Sequence, residues 1–411
     1  MSQSFAVTCN TEQSLKQTSQ KAFLKIALFT YSTKPRGSVI HTLELAEALH
    51  NLGHQVCVYA LDKDGHGFDY PLSCDYKLIP AQPAPPEINA LIQQRIQEFV
   101  DYLSQEQLIY DCYHAQDCLS ANALAILVQS QKIPHFLRTV HHIEDYRSPY
   151  LQQCQDRSIR EAQMCLCLSQ QWQVELLNQY NVHALQVING VNLRRFSPTL
   201  NGSESVLKER FHLQGFPIYL TVGGIEPRKN SIRLLQAFGQ VLKDYPTAQL
   251  VIAGGATLFD YQDYRDEFFA LADDLKIEVG RSLVLPGVIS DADLPVLYRC
   301  ADAFIFPSIK EGWGLVLLEA IASGTPVITS NISPFTEFLD STQALLVDPN
   351  LPEAMCGSTA CGIAQGMRSI IQSDLRHSLV QQSQSVLSRY TWETSAKIHL
   401  HHYQQLLTSY A

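Results

Sequence analysis

Residues 301–330, ADAFIFPSIKEGWGLVLLEAIASGTPVITS, restrict the folds open to this chain more than any other stretch. Ala303 to Phe306 is a short apolar run closed by Pro307, the pattern of a strand buried on both faces of a parallel sheet. Ser308 to Trp313 reads as a loop. Gly314 to Ser323 is apolar almost all round, as a buried helix is. Gly324 sits where a helix C-terminal glycine belongs, and Pro326 follows to stop it. Val327 to Thr329 is the next strand. A strand–loop–helix–strand unit of this kind belongs to an α/β fold with a parallel sheet.

Two carboxylates stand out in the unit. Glu311 lies in the loop, and Glu319 lies mid-helix among Leu315, Val316, Leu317, Leu318, Ala320 and Ile321. A charge in such a helix is costly unless something pairs with it. Gly312 and Gly314 let the backbone approach a ligand closely. The helix N-terminus after them presents free N–H groups and a positive dipole end, which suits a phosphate. Taken singly, Glu319 reads equally well as half of an internal ion pair, and Glu311 as a solvated loop residue. Together, EGWGLVLLE resembles the E-x7-E signature of family-4 retaining glycosyltransferases with the GT-B fold. The resemblance extends to ADAFIFPS before it and to the Gly-Thr-Pro-Val segment after it.

The chain has 411 residues, too many for one ordinary core, so two domains are expected. A formal charge of −10 opposes non-specific binding to nucleic acid or anionic lipid. The eleven cysteines follow no framework spacing. Cys165 and Cys167 would point to opposite faces of a strand, and Cys356 and Cys361 lack partners at zinc spacing. Reduced, mostly buried thiols in a cytoplasmic protein are the expectation. Residues 1–22 are polar, lack an apolar signal core and read as a disordered leader. No run reaches the ~18 apolar residues of a membrane span.

The N-terminal half, 23–195, alternates strands and helices as doubly wound folds do. Lys25 to Tyr31 is a strand, a helix starts near Val39, and His54 to Ala60 is the next strand. The intervening loop has one glycine and no G-x-G-x-x-G, which disfavours a dinucleotide cofactor. The stretch 71–87 is Pro-rich and reads as loop, and Glu87 to Gln105 as an amphipathic helix. Strands at Tyr110–His114 and His135–Val140 follow. The second runs into His141, His142, Glu144 and Asp145, polar groups at the carboxyl end of a parallel strand, where such sheets bind ligands. Adjacent histidines in an extended segment point apart, and with no third ligand evident a metal is not expected. Met164–Ser169, Gln171–Tyr180 and Ala184–Ile188 read as strand, helix and strand.

Asn192 to Lys208 lacks periodicity and reads as the linker into a second half, 196–390. Its first strand, Pro217 to Val222, ends in Gly223-Gly224-Ile225-Glu226-Pro227-Arg228-Lys229. Two cations after a Gly pair at a strand mouth suit a diphosphate, although such a pair is often only solvated. Gln249–Gly254, Tyr261–Val279, Ser282–Leu285 and Asp291–Cys300 continue the alternation. The tail, 391–411, reads as one amphipathic helix with solvated His399, His401 and His402.

The family resemblance, over residues 25–410, implies more. It implies an α/β protein of GT-B fold, with two Rossmann-like α/β/α domains across a cleft and a terminal helix crossing back to the first, anchored by Trp392. It implies a retaining transfer of a hexose-type sugar from a UDP- or GDP-linked donor to a carbohydrate, lipid-linked or small-molecule acceptor. No further cofactor or metal enters. His141, with His142 as the alternative, would meet the sugar together with Glu311. Arg228 and Lys229 would hold the diphosphate. Gly37, Gly224, Val288, Ser308, Gly312, Gly314, Leu315 and Glu319 would complete the donor site. His114-Ala-Gln-Asp117 resembles the family's H-x-x-D, and Asn189-Gly190-Val191-Asn192 its Asn-Gly-Val-Asp turn. Ser38 stands where the family has a second glycine, and Gly224 where many members have arginine. The rival readings are a non-catalytic nucleotide-sugar-binding regulator or partner subunit, and another chemistry on the same fold, such as phosphorolysis.

Overall fold

A computed structural model describes residues 23–255, 261–350 and 362–409. The expected leader, Cys356, Cys361 and Tyr410 lie outside the described residues. Seven strands build the first sheet: β1 (Lys25–Thr30), β2 (Gln55–Asp62), β3 (Asp75–Pro80), β4 (Cys112–Ala115), β5 (Leu137–Val140), β6 (Met164–Cys167) and β7 (Leu185–Gln186). Six build the second: β8 (Ile218–Val222), β9 (Gln249–Ala253), β10 (Leu283–Gly287), β11 (Ala303–Phe306), β12 (Val327–Ser330) and β13 (Leu345–Val347). The orders are β3-β2-β1-β4-β5-β6-β7 and β10-β9-β8-β11-β12-β13, and the pairings are parallel. Both sheets thus reverse direction after their first strand, between β1 and β4 and between β8 and β11. Loops splay apart at that point and leave a crevice.

Helices cover both faces. In the first body they are α1 (Gly37–Asn51), α2 (Ile88–Gln105), α3 (Cys118–Gln129), α4 (Pro149–Arg160) and α5 (Gln170–Tyr180). After them come α6 (Ser203–Arg210), α7 (Ser231–Val241), α8 (Gln262–Asp274), α9 (Leu294–Cys300), α10 (Leu315–Ala322), α11 (Ile363–Ser369), α12 (Ser373–Leu387) and α13 (Trp392–Thr408). Of the strands flanking the reversals, β1, β4 and β11 are buried almost throughout and β8 over its first three residues, as continuous apolar runs in parallel sheets must be.

The terminal helix α13 packs back on the first sheet. Trp392, Ala396, Tyr403 and Leu406 share one core with Leu28, Leu45, Leu49 and Val58. His399 lies in the same stripe and is fully buried, which corrects its reading as a solvated residue. His401 is exposed, and His402 is half-buried with its Nε2 3.2 Å from Gln186 O.

Two further readings change. The Pro-rich stretch 71–87 contains β3, an edge strand whose burial is partial. The linker stretch 192–208 contains the start of α6, a short polar helix covering α9 through Arg299 on Glu204, 2.7 Å apart. The helix read over Tyr261–Val279 is shorter, ending at Asp274. After β12 the chain makes a single 3-10 turn, Phe335–Glu337.

Candidate active site

The reversal in the second sheet places two loops side by side. The loop after β8 passes Gly223 and Gly224 into a 3-10 turn, Pro227–Lys229. The loop after β11 carries Glu311. The Ile309 N–H donates to Arg228 O at 2.9 Å and ties the loops together. Arg228 Nη1 and Lys229 Nζ then reach Glu311 Oε1 at 2.7 and 2.5 Å, and Ser308 Oγ donates to the same oxygen at 3.1 Å. Arg228 Nε holds Glu226 Oε2 at 2.9 Å, and Lys229 Nζ lies 4.3 Å from the Phe306 ring centroid. Burial alone would raise the Glu311 pKa, but Lys229 and Arg228 bring it below its ordinary value, so the carboxylate is ionised. Burial pulls Lys229 down against the attraction of Glu311.

The helix that follows is open at its N-terminus. Gly314 takes φ 110°, a left-handed conformation favouring glycine, and no side chain caps α10. One turn on, Glu319 is 8% exposed and its Oε2 accepts from Tyr298 Oη at 2.9 Å. Burial raises its pKa to about 7, opposed by Arg195 and reinforced by Glu44 and Asp291. Arg195 makes its ion pair with Asp291. Glu319 is therefore a buried carboxylate with a hydroxyl partner and a cation at longer range.

The first body closes the site from the other side. His141 follows β5, its Nε2 3.1 Å from Gln116 Oε1 and its ring perpendicular to that of His41 at 4.9 Å. Burial holds its pKa well below the ordinary value, so the ring is neutral. His142 points outward and meets Glu144 Oε1 at 2.7 Å. Of the two, His141 is the one packed inward. Its carbonyl lies against Gly312, where a Cβ would sit 2.0 Å from the oxygen. Trp172 Nε1 donates to Glu311 O at 3.1 Å. His114 is spent on Tyr403 Oη and Thr139 Oγ1, at 2.8 and 2.7 Å, and Asp117 caps α3 by accepting from the Ser120 N–H at 2.8 Å. The His114–Asp117 pair thus supports the fold around the site.

The remaining residues singled out from sequence fall as follows. Gly37 is the first residue of α1, with open space in front of its α-carbon. The Gly223–Gly224 peptide lies against Gly254, and the stem of Lys229 packs beside Gly223. Val288 is 71% exposed beside Gly255. Ser308 is fully buried and its hydroxyl goes to Glu311 rather than toward a base. Leu315 packs against the core shared by α1 and α13. Gln116, Trp172, Glu226 and Tyr298 were not singled out. Gln116 sits inside the H-x-x-D segment and Glu226 inside the Gly-Gly…Arg-Lys loop, so those motifs pointed to them. Nothing local in the sequence ties Trp172 to Glu311 or Tyr298 to Glu319.

Among the described residues, no group of three or more His, Cys, Asp or Glu is placed to hold a metal ion, and no helix is long and apolar enough to cross a membrane. In the first body, a cavity of about 320 Å³ opens between residues 33–35 after β1 and 66–69 after β2.

A family model for glycosyl transferases group 1 matches residues 205–379, and one for glycosyltransferase family 4 matches residues 35–195. An uncharacterised glycosyltransferase of Methanocaldococcus jannaschii is 25% identical over 91% of this chain and 96% of its own. A phosphatidyl-myo-inositol mannosyltransferase of Mycobacterium tuberculosis is 28% identical over 56% of this chain and 55% of its own. Among solved structures, sucrose-phosphate synthase from Thermosynechococcus elongatus superposes with a TM-score of 0.74 at 22% identity, covering 94% of this chain and all of that one. An Anabaena protein solved in complex with UDP-glucose superposes with a TM-score of 0.71 at 18% identity over the same shares.

Proposed function

The chain belongs to the group 1 glycosyltransferases, and from that premise we propose that it moves a hexose-type sugar from a nucleoside-diphosphate sugar to an acceptor hydroxyl with retention at the anomeric carbon. The observation that carries the reading is the convergence of Arg228 and Lys229 on Glu311 at the mouth of β8 and β11, with the His141 backbone pressed against the next residue.

The chemistry needs negative charge stabilised as the bond from the anomeric carbon to the diphosphate breaks. Arg228 supplies a forked donor, Lys229 a point charge and the N-terminus of α10 free N–H groups, all fixed before the reaction. Glu319 accepts from the ribose hydroxyls. Glu311 has one oxygen committed to three donors, and its other oxygen faces the transferred sugar with His141. The donor is UDP- or GDP-linked; the Anabaena neighbour solved with UDP-glucose supports that class. The cavity after β1 and β2 receives the acceptor, a carbohydrate, a lipid-linked sugar or another small hydroxyl compound.

The test is a panel of UDP- and GDP-sugars. A ligand that binds the native state raises its melting temperature. One donor class should stabilise the protein and release its nucleoside diphosphate on incubation. Stabilisation without release, across acceptors, would instead favour a regulator that binds donor without transfer.

A further inference from the structure

We propose that Trp172 is a positioning residue for the transfer: from the first body it holds the backbone of the Glu311 loop, so that Glu311 and His141 are set against each other directly. This rests on the functional reading above.

The indole is fully buried in a core shared with Val140, the residue before His141, and with Cys167, Leu176 and Tyr180. An indole N–H can only donate, and a buried donor left unpaired is costly. Its partner lies across the cleft, the carbonyl of Glu311 at 3.1 Å. The next residue, Gly312, packs on the carbonyl of His141 so closely that no side chain fits between. The Glu311–Gly312 peptide is therefore gripped at two points by the body that carries His141. The first turn of α5 makes one more crossing contact, its Gln170 N–H donating to Glu337 Oε2 at 3.0 Å. When the cleft opens, the indole N–H and the Glu311 carbonyl lose each other; when it closes, their bond sets the register between the two reacting faces.

Trp172→Phe keeps the buried ring and deletes the donor. Turnover is read as release of nucleoside diphosphate from UDP-glucose or GDP-mannose, with UDP and GDP affinities measured by calorimetry. Misplacement of a catalytic group by about an ångström lowers the rate on the order of 10- to 100-fold, and kcat should fall by that much. UDP or GDP affinity should stay within about twofold, since the contact is not to the nucleotide. Gly312→Ala should lower kcat likewise, and the double variant should be no worse than Gly312→Ala alone, because both act on the placement of one peptide. Hydrogen exchange over 307–314 and 141–146 should quicken in both variants while the cores stay protected.

Full turnover in Trp172→Phe overturns the proposal. So does a parallel loss of nucleotide affinity and melting temperature, which is the mark of a merely structural tryptophan. If the unmodified protein turns over no nucleotide sugar, the functional reading fails. The exchange measurement still decides the contact, and unchanged exchange in both variants sinks it.

Discussion

One oxygen of Glu311 takes Arg228, Lys229 and Ser308 together, and Glu226 also pairs with Arg228, so two carboxylates already balance the two cations before any phosphate arrives. A donor diphosphate has to share them. Lys229→Ala should cost nucleoside-diphosphate binding about 1.5–3 kcal/mol, the worth of a charge-assisted bond, read by calorimetry. His141→Ala should spare that affinity and lower kcat instead, with the outward-facing His142→Ala near normal; a dead His142 variant beside an active His141 variant would refute the assignment.

Glu319 gives a second prediction. Its pKa rises from the ordinary value to about 7 through burial, so the folded state keeps a proton that the unfolded chain releases between pH 4.5 and 7. Stability from this group therefore falls as pH rises through that window, a term on the order of 3 kcal/mol above it. Glu319→Gln should raise the melting temperature of the free protein at pH 8, do little at pH 4.5, and weaken nucleotide binding. A variant that melts lower at pH 8 would contradict this.

At this scale the sequence marked candidate residues better than it showed what they touch. Glu311, Arg228 and Lys229 were legible because charge beside glycine at strand mouths is chemically unusual, and Glu319 because a carboxylate in an apolar helix is. Gly312 was expected to admit a ligand, and it admits the His141 carbonyl. Ser308 was expected on a base, and it holds Glu311. The His141 carbonyl comes from a loop far away in sequence, which no local pattern encodes; Glu311 is only three residues from Ser308, but the turn that joins them is set by the cations it meets.

Among the elements, α13 is the informative case. Trp392, Ala396, His399, Tyr403 and Leu406 recur at helical spacing, so the place of His399 on the buried stripe was readable from periodicity; the type of the residue suggested otherwise. It lies against His41 and His114, with His141 beyond, and burial lowers His41 to about 4 and His399 to about 3. The folded state keeps these rings neutral, while the unfolded chain protonates them below about pH 6.5. Their contribution is complete above that pH and is lost as pH falls toward 4. Melting temperature should drop between pH 6.5 and 5, with less loss in His399→Gln. An equal loss in the variant would show that the cluster is not responsible.

The element readings failed where the pattern was weak. The edge strand β3 is half-buried and closes on Pro80, so it lacks the apolar run that marked its neighbours. The helix α6 is polar on most sides and buries only Leu207. By contrast, the central strands were legible because burial on two faces demands uninterrupted apolar residues.

In the whole molecule, two sheets of the same order present their reversal points to one cleft, and the proposed reacting groups come from both. In the proposed mechanism, charge on the leaving group is met by side chains and a helix end, so turnover should survive EDTA. Activity abolished by chelation and restored by magnesium or manganese would overturn that account. The chain passes between the two bodies twice. The passages lie side by side: Val191 pairs in parallel with Thr391, and the Val191 N–H donates to Tyr390 O at 3.1 Å. A single connecting strand would leave the bodies free to twist as well as to swing. Two passages fastened at one bridge can act as the pin of a door. What that leaves easiest is rotation about the pin, with travel growing with distance from it, so opening and shutting should follow one path and return to the same jamb.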